Sequence, residues 1–182
     1  MTSPADTRRS DVARRIVEAA ALKGDFLLRS GQRSDTYFDK YRFEARPDLL
    51  RDIASLMVPL VPEGTEVLAG LELGGVPIAT ALSLETGLPA AFVRKERKEY
   101  GTMKLAEGAE IEGRRICVVE DVITTGGQVV ASTEDLRKEG AIVEDVVCAI
   151  SRIQDGARDL LAEAGLRRHA LFTRAELDEH GA

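Results

Sequence analysis

Apolar positions follow helical spacing in some stretches and form short continuous runs in others. Val12, Ile16, Val17 and Ala20 fall at helical spacing behind Ser10, a suitable N-cap, and Gly24 offers a C-terminal stop. Residues 1–9 are polar and are expected to fray. Residues 26–29 and 36–38 read as short strands around Ser30-Gly31-Gln32. Pro47 suits a first helical position, and Leu49, Leu50, Ile53, Leu56, Met57 and Leu60 make an apolar face behind it. The pattern then alternates. Strands are predicted over residues 67–70, 90–93, 116–119, 146–150 and 169–172. Helices are predicted from Pro77 to the stop at Gly87, over 128–138 before Gly140, and over 156–164. Thr173 and Glu176 have capping-box spacing for a short last helix. Apolar strands alternating with helices imply an α/β fold with a central, mainly parallel sheet flanked by helices. Residues 94–113 break the rhythm: they are charged, aperiodic and long enough to be a functional, mobile loop.

Composition narrows the class. The chain has 182 residues, 44% hydrophobic and 31% charged, which suits one domain spanning 1–182 and excludes a disordered chain. No apolar run reaches the roughly 18 residues of a membrane span, and the start lacks a secretory apolar region, so a cytoplasmic protein is expected. Cys117 and Cys148 form neither a metal pattern nor a disulfide framework and read as small core residues. His169 and His180 lie away from every motif. A net charge of -6 argues against nucleic acid and against a membrane surface as partners.

The most informative run is Ile116-Cys117-Val118-Val119-Glu120-Asp121-Val122-Ile123-Thr124-Thr125-Gly126-Gly127-Gln128. A buried strand is expected to end in two carboxylates, followed by a hydroxyl- and glycine-rich turn and a helix. Ligands of parallel sheets bind outside the carboxyl ends of the strands. Backbone N–H groups of Thr125, Gly126 and Gly127 can converge on an anion at the helix N-terminus, with hydroxyl help from Thr124 and Thr125. Glu120 and Asp121 repel phosphate but can accept hydrogen bonds from sugar hydroxyls or stand near a hydrated Mg²⁺. One segment can therefore grip a sugar phosphate. It has neither the Lys-Ser/Thr ending of a Walker loop nor dinucleotide-fingerprint spacing.

This run resembles the signature of the type I phosphoribosyltransferases. The resemblance implies that Glu120 and Asp121 meet the ribose hydroxyls of phosphoribosyl pyrophosphate (PRPP), while Thr124, Thr125, Gly126, Gly127 and Gln128 hold its 5-phosphate. It also implies the family fold, with a small N-terminal hood over the sheet.

Residues 94–104 carry five basic side chains (Arg94, Lys95, Arg97, Lys98, Lys104) against Glu96 and Glu99, an island of +3 in an acidic chain. Cations held over a leaving pyrophosphate stabilise charge that grows in the transition state. The run Arg94-Lys95-Glu96-Arg97-Lys98-Glu99-Tyr100-Gly101 is similar to the catalytic loop of orotate phosphoribosyltransferases. That resemblance implies catalytic roles for Arg94, Lys95, Lys98 and Asp121, PRPP contact at Tyr100, where bacterial members commonly have histidine, and a homodimer sharing the loop across its interface. It also implies Mg²⁺, held mainly by PRPP and water.

Further matches extend the likeness. Arg29, before Ser30-Gly31, matches a basic residue that reaches the pyrophosphate region. Tyr37 and Phe38 match an aromatic wall for orotate, with Thr124 beside it. Arg152, after a strand, matches the arginine that meets the orotate carboxylate; its planar guanidinium suits bidentate binding. Gly74 and Gly75 match the pyrophosphate turn. Bacterial members often place a lysine there; its absence, with Tyr-Gly-Thr in the loop, is closer to archaeal-type members. The implied reaction joins orotate and PRPP into orotidine 5-phosphate and pyrophosphate, a step of pyrimidine (UMP) biosynthesis. The alternatives are a PRPP-binding, non-catalytic transcription regulator of the same fold and a purine phosphoribosyltransferase.

Overall fold

The computed structural model describes residues 4–27, 31–96, 104–154 and 156–181. Its centre is a six-stranded sheet in the order β5-β4-β3-β6-β7-β8. The strands are β3 (Val67–Leu71), β4 (Ala90–Val93), β5 (Ala106–Gly108), β6 (Arg115–Ile123), β7 (Ile142–Ser151) and β8 (Arg167–Thr173). All neighbours pair in parallel except β4 and β5. A separate antiparallel hairpin joins β1 (Ala21–Leu27) and β2 (Arg33–Phe38). The helices are α1 (Pro4–Ala20), α2 (Tyr41–Glu44), α3 (Pro47–Met57), α4 (Gly75–Thr86), α5 (Gly127–Lys138), α6 (Leu160–Glu163) and α7 (Arg174–Asp178). None is long and apolar enough to cross a membrane, among the described residues.

The two-residue period of the strands divides the core into two layers. Leu68, Cys117, Val119 and Val147 face one cluster with Val12 and Ile16 of α1, Phe43 of α2, Leu49 and Ile53 of α3, and Ile78 and Leu82 of α4. Val67, Ala69, Val118 and Val146 face the other with Val129 and Leu136 of α5 and Leu161 of α6. By the same alternation Asp121 continues the first row, toward α2, and Glu120 the second. Pro47 opens α3 and Gly87 closes α4 at φ 76°, as the sequence predicts. The Thr173/Glu176 capping box is also formed.

Several expectations need correction. α1 begins at Pro4, inside the stretch expected to fray. Arg9 anchors it: its guanidinium donates to the Leu171 carbonyl at 2.7 Å and to Glu176 at 2.6 Å, and lies 4.7 Å from the Phe172 ring centroid. Gly24 does not stop that helix; it lies in β1, at an irregularity in the hairpin register between Lys23 and Phe26. α2 is an unforeseen turn of helix. The loop expected over 94–113 is interrupted by β5, which pairs with β4 and buries Leu105 and Ala106. α6 shrinks to one turn because Asp159 caps it, accepting from Leu161 N at 3.0 Å and Ala162 N at 3.3 Å. Most consequentially, β6 does not end before the acids. It runs through them to Ile123, so Glu120 and Asp121 are buried strand residues.

Candidate functional site

The carboxyl ends of β3, β6 and β7 and the hairpin end at Phe38 surround three adjoining cavities. One, of about 360 Å³, is lined by Phe38, Lys40, Glu72, Lys95, Glu120 and Gln128, among others. A second, of about 410 Å³, lies between the hairpin and α7 and includes Tyr37, Phe38 and Arg174. A third, of about 580 Å³, runs from Thr124 and Thr125 toward Arg158 and Leu160. Arg152 lines all three, and Thr124 lines the first and third.

Arg152 is held in place by its backbone, whose N–H donates to Ile123 O at 2.8 Å and ties the ends of β6 and β7 together. Its guanidinium makes no ion pair among the described residues. Burial, then repulsion from Arg174, lowers its pKa from the ordinary arginine value. A half-buried, unpaired guanidinium is suited to a planar anion such as a carboxylate.

The turn between β6 and α5 has the anion-binding form the sequence suggests. Gly126 sits at φ 81°, a left-handed conformation glycine adopts readily. Leu161 stands 3.0 Å from where its Cβ would be. No side chain caps α5, so its first N–H groups remain open to a ligand. Thr124 precedes this turn, and Gln128, which donates to Ser132 Oγ at 3.3 Å, follows it.

Beneath the first cavity lies a cluster of charges. Asp121 is fully buried, with Oδ1 accepting Val122 N–H at 2.6 Å and Oδ2 lying 2.7 Å from Lys40 Nζ. Glu44 of α2, also buried, lies close to the same carboxyl. Burial raises the pKa of Asp121, but the hydrogen bonds from Glu44 and Lys40 outweigh it and hold it below the usual range. Burial, then the Asp121 hydrogen bond, pushes Glu44 up to about 9; burial, then the Asp121 charge, pushes Glu120 up to about 8. Lys40 loses some of its preference for charge to burial but regains more from Asp121, and its pKa is raised. At neutral pH the arrangement is a charged Lys40 and Asp121, with the protons of the cluster held on Glu44 and Glu120.

Gly74 completes the enclosure. A Cβ there would stand 2.0 Å from Asp121 Oδ2, so no side chain, lysine included, fits while the carboxylate holds this position. Gly75 is similarly constrained, with Val119 O 2.3 Å from its would-be Cβ. Above this turn Glu72 accepts Lys95 N–H at 3.0 Å, which brings the start of the basic segment to the cavity rim. Arg94 turns elsewhere, into a recess with Glu72, Val76 and Phe92, with Nε 4.0 Å from Glu107.

Thus Glu120, Thr124, Gln128, Lys95, Phe38 and Arg152 converge on one cavity, with Asp121 and Gly74 beneath it. Tyr37 faces the neighbouring cavity, its ring 5.5 Å from Phe26. Arg29, Lys98 and Tyr100 lie outside the described residues. The sequence reading missed Lys40 and Glu44. The chain shows only their helical spacing, two opposite charges four residues apart around the buried Phe43, and nothing local ties them to residue 121.

Comparison with known proteins agrees with this geometry. Residues 42–161 match the family model described as a phosphoribosyl transferase domain. The chain is 57% identical over 157 residues to an orotate phosphoribosyltransferase from Nocardioides sp., covering 86% of this chain and 87% of that one. It is 41% identical over 170 residues to the orotate phosphoribosyltransferase of Methanopyrus kandleri, covering 93% and 91%. The crystal structure of Mycobacterium tuberculosis H37Rv orotate phosphoribosyltransferase with Fe(III) dicitrate superposes with a TM-score of 0.84 at 31% identity, covering 93% of this chain and 98% of that one. The same protein in complex with PRPP gives 0.80 at 29%, covering 94% and 99%.

Proposed function

The chain belongs to the orotate phosphoribosyltransferases, within the phosphoribosyl transferase domain family, and we propose that it transfers the phosphoribosyl group of PRPP to orotate, giving orotidine 5-phosphate and pyrophosphate. The observation that carries this reading is the convergence of an uncapped, glycine-turned helix start, an acidic pair and an unpaired arginine on adjoining cavities. The relatives favour neither a non-catalytic regulator nor a purine transferase.

In this reading the 5-phosphate takes the N–H groups of the 124–128 turn and the ribose hydroxyls donate to Glu120, while the fully buried Asp121 acts as a charge beneath the sugar rather than as the direct contact the resemblance implies. The pyrophosphate lies toward Lys95 and the Gly74-Gly75 turn. Orotate lies on Phe38 and Tyr37 with its carboxylate on Arg152 and Thr124 beside it. Bond breaking at the ribose carbon passes through an oxocarbenium-like state, as in glycoside hydrolysis. The Asp121 charge beneath the sugar then stabilises developing positive charge, while Lys95, Lys98 and Arg94 stabilise the departing pyrophosphate. Orotate supplies an anionic ring nitrogen, so no side-chain base is required.

Mg²⁺ fits as an ion brought by the substrate. Among the described residues no group of three or more acids, histidines or cysteines is arranged to hold a metal, and both Asp121 oxygens have protein partners. PRPP oxygens and water would then be its donors, which suits an ion that keeps its waters, and it would neutralise polyphosphate charge.

A homodimer completes the site in this reading: Arg94 lines a recess beside its own chain's acidic cavity rather than the cavity itself, which supports a loop that serves a second copy. Arg29 and Tyr100 are assigned to the polyphosphate by family likeness alone. Two free, buried cysteines accord with a reducing, cytoplasmic setting.

The deciding experiment measures PRPP consumption with orotate, adenine, hypoxanthine and xanthine in turn. Orotate-specific turnover is expected; turnover of a purine alone, or of none, overturns the reading.

A further inference from the structure

Asp121 is gripped more closely than a sugar-binding carboxylate requires. It lies on β6, but two of its partners come from α2 and the residue before it. Lys40 sits at the N-cap of α2 and Glu44 one turn on, so both reach toward the same strand. Lys40 Nζ holds Oδ2 at 2.7 Å, the buried Glu44 lies close to the carboxyl, the Val122 N–H holds Oδ1 at 2.6 Å, and Gly74 closes the remaining side. Phe43, between the two charged residues, is fully buried and fixes α2 against the core.

We infer that Lys40 and Glu44 are positioning residues that set the orientation and negative charge of Asp121, acting through that carboxylate rather than on the substrate. The inference rests on the proposed phosphoribosyl transfer. Its physical ground is the company Asp121 keeps. Two other carboxyl groups, Glu44 and Glu120, lie close to it in a water-poor region. Without a cation there, desolvation favours a protonated Asp121, as it does its acidic neighbours Glu44 and Glu120. A protonated Asp121 loses its attraction for an oxocarbenium-like sugar above it. Lys40 keeps the charge, and a neutral Glu44 donates a hydrogen bond without adding a second charge. Lys40 also lines the cavity, so direct contact with the polyphosphate is the competing role.

A double-mutant cycle separates the two. Lys40→Met, Asp121→Asn and the double variant are compared with the unaltered chain for kcat and for the KM of each substrate. If Lys40 acts through Asp121, Lys40→Met lowers kcat about tenfold or more with orotate KM within about twofold, and changes kcat less than about twofold once Asp121 is asparagine. Lys40→Arg, which keeps the charge, recovers most of the loss. Glu44→Gln, which still donates, stays within about threefold, whereas Glu44→Leu falls by about tenfold. Effects of Lys40→Met and Asp121→Asn that multiply overturn the inference, as does a Glu44→Gln variant as impaired as Glu44→Leu. Thermal melts establish that each variant is folded; if Lys40→Met is not, Lys40→Gln replaces it in the cycle. The same cycle read as PRPP dissociation constants by calorimetry requires no turnover. A chain inactive on orotate would therefore sink the functional reading while leaving the coupling of Lys40 to Asp121 separately measurable.

Discussion

Two buried aspartates stand on neighbouring strands at opposite ends of the sheet. Asp145, near the amino end of β7, is 8% exposed, and Asp121, toward the carboxyl end of β6, is 0% exposed. Arg167 grips Asp145 with Nε at 2.8 Å and Nη2 at 2.7 Å, and His169 Nε2 lies 2.8 Å away. The Arg167 hydrogen bonds hold Asp145 below the usual carboxylate range, although burial opposes them. The cavity beside it measures only about 40 Å³. Asp121 has one lysine and two acidic neighbours beneath a cavity of about 360 Å³. Asp145 is therefore electrostatically complete within the fold, whereas Asp121 is held charged in excess acid beside open space. That contrast, rather than burial alone, marks the functional end of the sheet.

The widest separation between the two sites is expected from paired substitutions. Asp121→Asn should lower turnover more than tenfold, a loss of over about 1.4 kcal/mol of transition-state stabilisation, with little change in melting temperature. Asp145→Asn should leave turnover within about threefold but cost about 1–2 kcal/mol of stability, discounted because Arg167 remains largely solvated. Steady-state kinetics beside thermal melts check both; the reverse pattern would break the contrast. Lys98→Ala should also reduce turnover more than tenfold while the melt stays put. Coexpressed with Asp121→Asn, it tests the shared loop: random mixed dimers contain one intact site each in half the population, so about a quarter of normal activity should return. No recovery would confine the loop to its own chain. A smaller effect is expected at Arg152, where alanine should raise the orotate KM by about tenfold and the PRPP KM much less. Equal rises would place the arginine on the polyphosphate instead.

The same contrast explains what was readable in the chain. Continuous apolar runs such as 116–119 and 146–150 specify buried parallel strands because both their faces must be covered, and those strands form. The hydroxyl-glycine turn was legible because its function depends on local backbone, with Gly126 at φ 81° before α5. Lys40 and Glu44 were not, because their significance depends on packing against residue 121, about eighty positions away. Local patterning carries no record of such a contact. For the same reason, Glu120 and Asp121 were expected at the end of a strand rather than inside one. Only the continuation of β6 to Ile123 and the cover from α2 bury them. Gly74 looked like a lost lysine; the carboxylate of Asp121 occupies the space instead. The helical start at Pro4 was not legible either, because what holds Arg9 is a distant partner, Glu176.

The smallest effect is a pH dependence of stability whose sign distinguishes the two ends. Glu44 has an ordinary value of 4.5 and is held up to about 9 by burial and then by its hydrogen bond to Asp121. Between those limits the folded chain keeps a proton that the unfolded chain releases. The stabilisation is full below 4.5 and is lost as pH rises toward about 9, with a slope of at most about 1.4 kcal/mol per pH unit. Glu120, held up to about 8, acts in the same direction. Asp145 acts oppositely: its value is depressed, so its contribution is present above the ordinary 3.8 and is lost as pH falls through the folded value. Melting temperatures measured at about pH 6 and pH 8.5 should therefore decline for the unaltered chain and for Asp145→Asn alike. Glu44→Gln has no proton to release at that position and should decline less. Equal alkaline losses in all three chains would show that Glu44 carries no excess proton in the fold, and the cluster around Asp121 would then resemble the one around Asp145 more closely than its geometry implies.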